Sequence, residues 1–493
     1  MSRDLGLRRL LDRGTFGARP GEFERLFAAP SLARSSSSAA EAARRWIDAQ
    51  LEAARSPDRD LDRRLAAFSS LALDPEDLPR EVLKTQGTGS ARFERRAHAM
   101  REIRKAVRER SKRIARDVVG ARLVRAVHAR AGMREVMVDF WSNHFSVFAR
   151  KHMVGGLLPH YQREVLDRFA LGRFEDLLVA VAKSPAMLVY LDNWTSTAPQ
   201  PGARRRGAAA RGSPLRRAVR SGGGINENYA RELLELHTLG VSGGYTQEDV
   251  GEVARVFTGW SLESLRAPTF AFHASLHDPG RKTVLGERTR GSGIAEGENL
   301  LHRLARHPQT ARHIATALVR RFVADDPPAR LVAETARSFL DTGGEIPAVL
   351  KLVLLSPEFA DPAHQKLKTP LRYAVGALRA TGGETDGGPA VLRELGRMGE
   401  LPFLARTPAG FPEDAASWID PGALLERMRF AAALAGDRIR GTYTGGALPG
   451  SEPKTASTIL GSARSAGPRR SPEGLAHRDR LAVALAAPEF QWT

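Results

Sequence analysis

Between Gly224 and Trp260 the chain runs GINENYARELLELHTLGVSGGYTQEDVGEVARVFTGW, a pattern that suits two helices joined by a short turn and no strand. Tyr229, Leu233 and Leu236, flanked by Ala230, Leu234 and His237, recur at helical spacing and make one broad apolar face. Asn228, Arg231, Glu232 and Glu235 fall on the other. Asn226 is placed to cap the first helix, since its side chain can accept from the open amides of the first turn. Gly240 is placed to stop it. Thr246 and Asp249 form a T-x-x-D capping pattern for the second helix, whose stripe is Val250, Val253, Ala254 and Phe257. The linker VSGGY is too short to separate domains, so the stretch is a helical hairpin inside a larger helical body.

The rest of the chain agrees. Helical patterns cover residues 4–11, 20–27 and 39–55, with the serines of 35–38 expected as a loop. One long or two abutting helices are expected over 91–133, then a buried helix through Met137, Phe140, Trp141 and His144. Gly155, Gly156 and Pro159 are expected to break the pattern before helices at 160–169 and 174–182. Further helices are expected at 296–306, after His307–Pro308 through 310–324, and at 330–342, 346–355, 367–381, 390–398, from Pro421 onwards, and at 478–486. Strands do not alternate with helices anywhere. The fold class is therefore all-α, one large irregular multi-helix domain over 1–493, with a β-hairpin or ordered-loop excursion near 268–287, where Phe270 and Phe272 alternate. Two stretches stand apart. Residues 195–223 hold seven arginines and no acid, which cannot bury enough to order themselves and so predict a flexible basic insert. Residues 437–475 are loop-rich.

Charge and cysteine content bound the function. Lys and Arg number 75 against 56 Asp and Glu, a formal +19. Such a balance favours an acidic partner, nucleic acid or an anionic surface. The plainer account is a sequence that uses arginine as a helix-forming surface residue. The basic helix 91–133 carries almost no aromatic side chain for stacking on bases, and its acids suit i,i+4 pairs, so a solvated face accounts for it better than a nucleic-acid rod. No cysteine is present, which removes disulfides, iron–sulfur clusters and thiol nucleophiles. No apolar run is long enough to span a bilayer. The first twenty residues lack the apolar core of a signal peptide, which predicts a cytoplasmic protein, with export alongside a partner as the alternative.

The segments NENYARELLELHTLG and YTQEDVGEVARVFTGW, together with LDRGTFGARPGE, DFWSNHFSV, GRFEDLLVAVAKSPAMLVYLDN, HDPGRKTVLG, HPQTARHIATALVRRFVADDPP and TPAGFPEDAASWIDPGALLER in the same order, resemble the bacterial domain-of-unknown-function 1800 family over nearly the whole chain. The resemblance implies a large helical domain and supplies no catalytic residues to carry over. It also implies a possible neighbour, a secreted sulfatase-like protein, and so an accessory or binding role toward an acidic or envelope-associated partner.

The residues themselves suggest a second function class, a metal-assisted hydrolase. Its acid–base candidates are Glu232, Glu235, His277 and Asp278. His144, Glu232, His277 and Asp278 are the candidate ligands of a divalent ion such as zinc or manganese. Glu232 and Glu235 are three apart on one helix, and His277–Asp278 occupies a Pro-Gly turn. His237 lies round the helix on the apolar stripe and cannot join them. No H-E-x-x-H spacing, P-loop or nucleophile elbow supports the reading. The opposing account makes His144 and His237 hydrogen-bonded core histidines, Arg231 and Glu235 an i,i+4 pair, and Asp278 a turn former. A nucleic-acid binder acting through 91–134 and 195–223 is the third possibility.

Overall fold

The computed structural model describes residues 2–27, 36–77, 93–199, 224–445 and 476–493. Helices form most of the regular structure there, and β-structure is confined to three antiparallel two-stranded pairs. The protein is all-α with minor hairpins. No described helix is long and apolar enough to cross a membrane.

The hairpin 224–260 forms as its capping residues require. Asn226 accepts from the Asn228 amide at 2.9 Å. Thr246 Oγ1 accepts from the Asp249 amide at 3.1 Å, and the Asp249 carboxylate accepts from the Thr246 amide at 2.8 Å, a reciprocal capping box that starts Gln247–Val256. Asp249 also accepts from the Leu285 amide at 2.6 Å, so the cap holds the following hairpin in place. Replacing Thr246 by Ala should cost about 1 kcal/mol, the usual loss for an N-cap, read from the shift of the urea midpoint. Asp249→Ala should cost more, because the Leu285 amide loses its acceptor as well.

One departure within this hairpin matters. The first helix is regular only over Glu227–Glu232, and Leu233–Thr238 is a π-turn. The Thr238 hydroxyl donates to the Leu233 carbonyl at 2.6 Å. The wider turn shifts the buried face, so His237 and Thr238 are buried while Leu236 is only half-buried. It also turns Glu235 away from Arg231. The expected pair between them is absent: Arg231 reaches Glu227 at 3.7 Å and Gln247 at 2.8 Å instead.

The β excursion lies where alternation placed it, and slightly beyond. Trp260–Leu262 pairs with Phe270–Phe272, and Thr283–Val284 with Glu287–Arg288. A third pair, Glu384–Thr385 with Thr442–Tyr443, was not expected, and its second strand falls inside the loop-rich stretch 437–475. Of that stretch residues 446–475 lie outside the described residues, as do 200–223 of the basic insert.

Two local expectations are corrected. The helix expected from Ala39 begins at Ser36, in keeping with the preference of serine for helix starts. Gly155, Gly156 and Pro159 do not break the chain but lie inside the helix Val154–His160. A Cβ on Gly155 would stand 2.8 Å from both the Ala149 and Ser111 carbonyl oxygens. Glycine is there because two backbones press on the helix, and packing overrides its poor helix propensity.

The core is a continuous apolar cluster running from Leu7 to Phe490, and it contains charge. Arg13, Arg321 and Arg427 are among the largest fully buried side chains, and Arg372 and Arg379 are nearly as enclosed. The surplus of arginine is therefore not only a surface property. A guanidinium can be buried when its five donors meet oxygens. Those of Arg13, on the first helix Ser2–Gly14, do so. They reach the Phe322 and Val323 carbonyls at 3.1 and 2.9 Å, the His364 carbonyl at 2.6 Å, and Thr493. Residues 491–493 in turn pair with 366–368: Thr493 N donates to Lys366 O at 2.9 Å, and Lys368 N to Gln491 O at 2.8 Å. This arrangement sets Lys368 and Phe490 side by side against the first helix and the helix Pro370–Ala380.

Candidate functional site

The structure divides the expected site residues among three places. His144, at the end of Gly132–His144, lies with its ring centroid 5.8 Å from that of His313 and 6.5 Å from that of His237. Its Nε2 donates to the His237 carbonyl at 3.3 Å, and His313 Nε2 to the Leu236 carbonyl at 3.0 Å. His237 Nε2 is buried with no partner. Burial first, and mutual repulsion second, lowers the pKa of His144 well below the usual imidazole value and that of His237 to about 3. These are neutral imidazoles of the core; His144 and His313 bond to carbonyls of the π-turn, and His237 is buried on it.

Glu232, the last residue of the regular helix, and Glu235, on the π-turn, are half-buried. Burial, and then the charge of Glu235, raises the pKa of Glu232. Glu235 accepts from the Tyr245 hydroxyl at 3.3 Å.

His277 and Asp278 belong to a third group. His277 Nδ1 donates to the Thr258 carbonyl at 2.9 Å, and its Nε2 stands 3.4 Å from Glu296. Glu296 also accepts from Lys282 at 2.7 Å and Thr289 at 2.5 Å. The Asp278 carboxylate accepts from Arg255 Nε and the Gly280 amide, each at 2.8 Å, and these bonds hold its pKa below the usual carboxylate value. Both side chains of the HDPG turn are thus held by other parts of the protein, His277 by Thr258 and Asp278 by Arg255. No hydrogen bond or ion pair among the described residues joins the three groups. No cluster of three or more His, Asp or Glu among those residues could hold a metal ion.

Two further polar places were not singled out from the sequence. The first is an ionic cluster under the loop TPAGFPED. Arg321 donates to Asp139 at 2.6 Å and to Glu413 at 2.8 Å, and Arg122 to Asp139 at 3.1 Å. Asn143 holds the loop by a two-way bond to the Phe411 backbone, at 2.9 and 2.7 Å. Beside them sits Glu400, and the cavity they share is about 20 Å³. That is room for a single water-sized group. Its partners are all internal.

The second place is open. A cavity of about 270 Å³ lies between the segment Arg8–Glu24 and the run Lys368–Ala380, closed on one side by Phe490. The LDRGTFGARPGE segment supplies Asp12, Gly17, Arg19 and Phe23. Lys368 is only 6% exposed. Its Nζ lies 3.9 Å from the centre of the Phe490 ring, and no described residue takes a hydrogen bond from it. The Asp12 carboxylate is also without a hydrogen bond among those residues. Two glycines leave the space between amine and acid. A Cβ on Gly376 would stand 3.8 Å from Lys368 Nζ, and one on Gly17 would stand 3.8 Å from Asp12 Oδ1 and 3.4 Å from Gly376 Cα. Gly17 has φ +123°, a conformation open to glycine and strained for other residues. Burial lowers the pKa of Lys368; Asp12 opposes this, and Arg372 and Arg427 add to it.

The glycine-rich RGTFGARPG connects two helices, and its Gly17 is part of the cavity wall. The model of a family described as a protein of unknown function, DUF1800, matches residues 9–492, a span that includes nearly all of the cavity wall. No curated protein and no solved structure matches the chain.

Proposed function

The chain belongs to the DUF1800 family, and we propose that it is a binding protein for a small, flat organic ligand bearing an anionic or carbonyl oxygen. The observation behind this reading is Lys368: an enclosed amine without a hydrogen-bond acceptor among the described residues, on the wall of a cavity large enough for a ligand. A ligand oxygen can accept from that amine, and a hydrogen bond to a charged group is among the stronger ones. The volume, just below the range of pockets for drug-sized ligands, suits a compact molecule. The Phe23 and Phe490 rings suit a flat one.

The test uses benzoate, benzaldehyde and 4-formylbenzoate in turn with the folded chain. At one hundred times its Kd a ligand adds about 2.7 kcal/mol of stability, which appears as a rise in Tm. Lys368→Met should abolish the rise. If none of the three probes raises Tm or gives a calorimetric signal, the reading fails.

An accessory role toward a sulfatase-like or other acidic partner has a separate observation in its favour. On the helix Pro421–Ala435 the side chains Leu424, Leu425 and Met428 are 46–49% exposed while Phe430, Ala431 and Leu434 of the same helix are buried, and Ile419 just before it is 60% exposed. A helix whose apolar surface extends past its buried stripe has more contact surface than its own core uses. The metal-assisted hydrolase reading has less support, because its expected residues are divided among three groups with other partners.

A further inference from the structure

Resting on the ligand-binding reading, we propose that Lys368 is a nucleophilic amine and that the cavity captures its ligand covalently, as an imine with an aldehyde or ketone.

The surroundings of Nζ carry the argument. An amine attacks a carbonyl carbon only through a free electron pair, so it must be both unprotonated and unencumbered. Other enclosed amines of this chain are spoken for: Lys282 Nζ donates to Glu296 and to two backbone oxygens, and Lys366 Nζ to Asp325 and the Glu413 carbonyl. Lys368 has none of these. It lies on an aromatic face, and the guanidinium of Arg427 donates at 2.8 Å to the carbonyl of Lys368 itself. Arg372 stands one helical turn further on, directing its own donors to the Arg13 carbonyl at 3.2 Å. Burial, with the charges of Arg372 and Arg427, favours the neutral amine against the Asp12 carboxylate, and the net effect lowers the pKa of Lys368. Each unit of lowering raises the free-amine fraction at pH 7 about tenfold.

Asp12 is placed to carry the protons that the reaction moves. It lines the same cavity across the Gly17–Gly376 contact, and no hydrogen bond from a described residue ties its carboxylate. The step balances without any other reagent. The Nζ electron pair bonds to the carbonyl carbon, the C=O π pair moves to oxygen, and that oxygen takes a proton to give a carbinolamine. Nζ gives up both of its protons, the first to that oxygen and the second through Asp12 to the resulting hydroxyl, which leaves as water while the C=N bond forms. One carbonyl and one amine become one imine and one water. Nothing is oxidised or reduced.

The experiment treats the folded wild-type chain with 4-formylbenzoate or benzaldehyde and sodium cyanoborohydride, then maps modified peptides by mass spectrometry. The chain has ten lysines, and exposed Lys112 provides the internal reference. The expected result is a reduced adduct on Lys368 at least about tenfold above that on Lys112. Lys368→Arg should lose that adduct and keep the background. Asp12→Asn should slow its formation by about a hundredfold, the lower end of what a positioned proton carrier contributes. Because the site is located in the wild-type chain, the result does not depend on a variant folding. If benzoate and 4-formylbenzoate both bind but the aldehyde leaves Lys368 no more modified than Lys112, covalent capture is wrong and the binding reading stands. If neither binds and no adduct forms, both are wrong.

Discussion

Replacing Arg321 by Ala is expected to lower stability by about 3–5 kcal/mol, the loss typical when one partner of a buried ion pair is removed. The guanidinium is fully enclosed and bonds to Asp139 and Glu413. Burial works against its charge, but Glu413 and Asp139 more than compensate, so its pKa is raised. Without it, Glu413 keeps no cation at hydrogen-bond distance, and Asp139 keeps only Arg122. The loop TPAGFPED would then hang on Asn143 and Lys366. Chemical denaturation gives the magnitude, and limited proteolysis near Gly410 should show the loop released. A loss under about 1 kcal/mol would mean that water enters and solvates the abandoned acids, and the cluster would not be the clamp described here.

The second large effect is a dependence of stability on pH, centred on Glu400. Burial, and then the charge of Asp139, raises its pKa to about 7 from 4.5, despite the bond it accepts from the Leu371 amide at 2.8 Å. An acid whose pKa is higher folded than unfolded binds its proton more tightly when folded. Its contribution is complete below pH 4.5 and disappears as pH rises through 7. The chain should therefore lose on the order of 3 kcal/mol between pH 4.5 and 8 from this residue. Glu400→Gln, which stays neutral throughout, should flatten that slope. If the wild-type and Gln variants show parallel stability profiles, Glu400 is ionised at neutral pH and paired with Arg321.

How much of this was legible in the sequence depended on range. Signals that act within a few residues were readable: the Asn226 cap, the Thr246–Asp249 box, the stop at Gly240 and the Phe270–Phe272 alternation all appear as expected. The π-turn at Leu233–Thr238 was not, because one extra residue in a turn leaves no mark on composition. Gly155 and Gly156 misled for a related reason. Their local propensity says break, while the crowding that requires glycine at 155 comes from the backbones of Ser111 and Ala149, one of them more than forty positions away. Arginine misled most. Its abundance suggested a solvated surface, yet Arg13, Arg321, Arg372, Arg379 and Arg427 are enclosed by oxygens contributed from elsewhere in the chain. The cavity beside Lys368 had no local signature either, since its amine and its acid are separated by most of the sequence. Histidine is the residue type the sequence puts forward for chemistry, whereas the cavity is lined by a lysine and an aspartate whose side chains have no hydrogen bond among the described residues.

The same separation has a consequence for biogenesis. The walls of the cavity come from residues 8–24, 368–380 and 490, and Arg13 finds two of its acceptors only at Thr493. At about 5–20 residues per second of synthesis, the first helix emerges from the ribosome and waits tens of seconds for its partners. During that interval Leu7, Leu10 and Leu11, all buried in the finished fold, have little to cover them, and a guanidinium meant for the interior is still in water. Closing a loop of this length is slow compared with forming the hairpins. The nascent chain should therefore depend on holding factors until its last turn is made, and refolding yield should fall steeply with protein concentration.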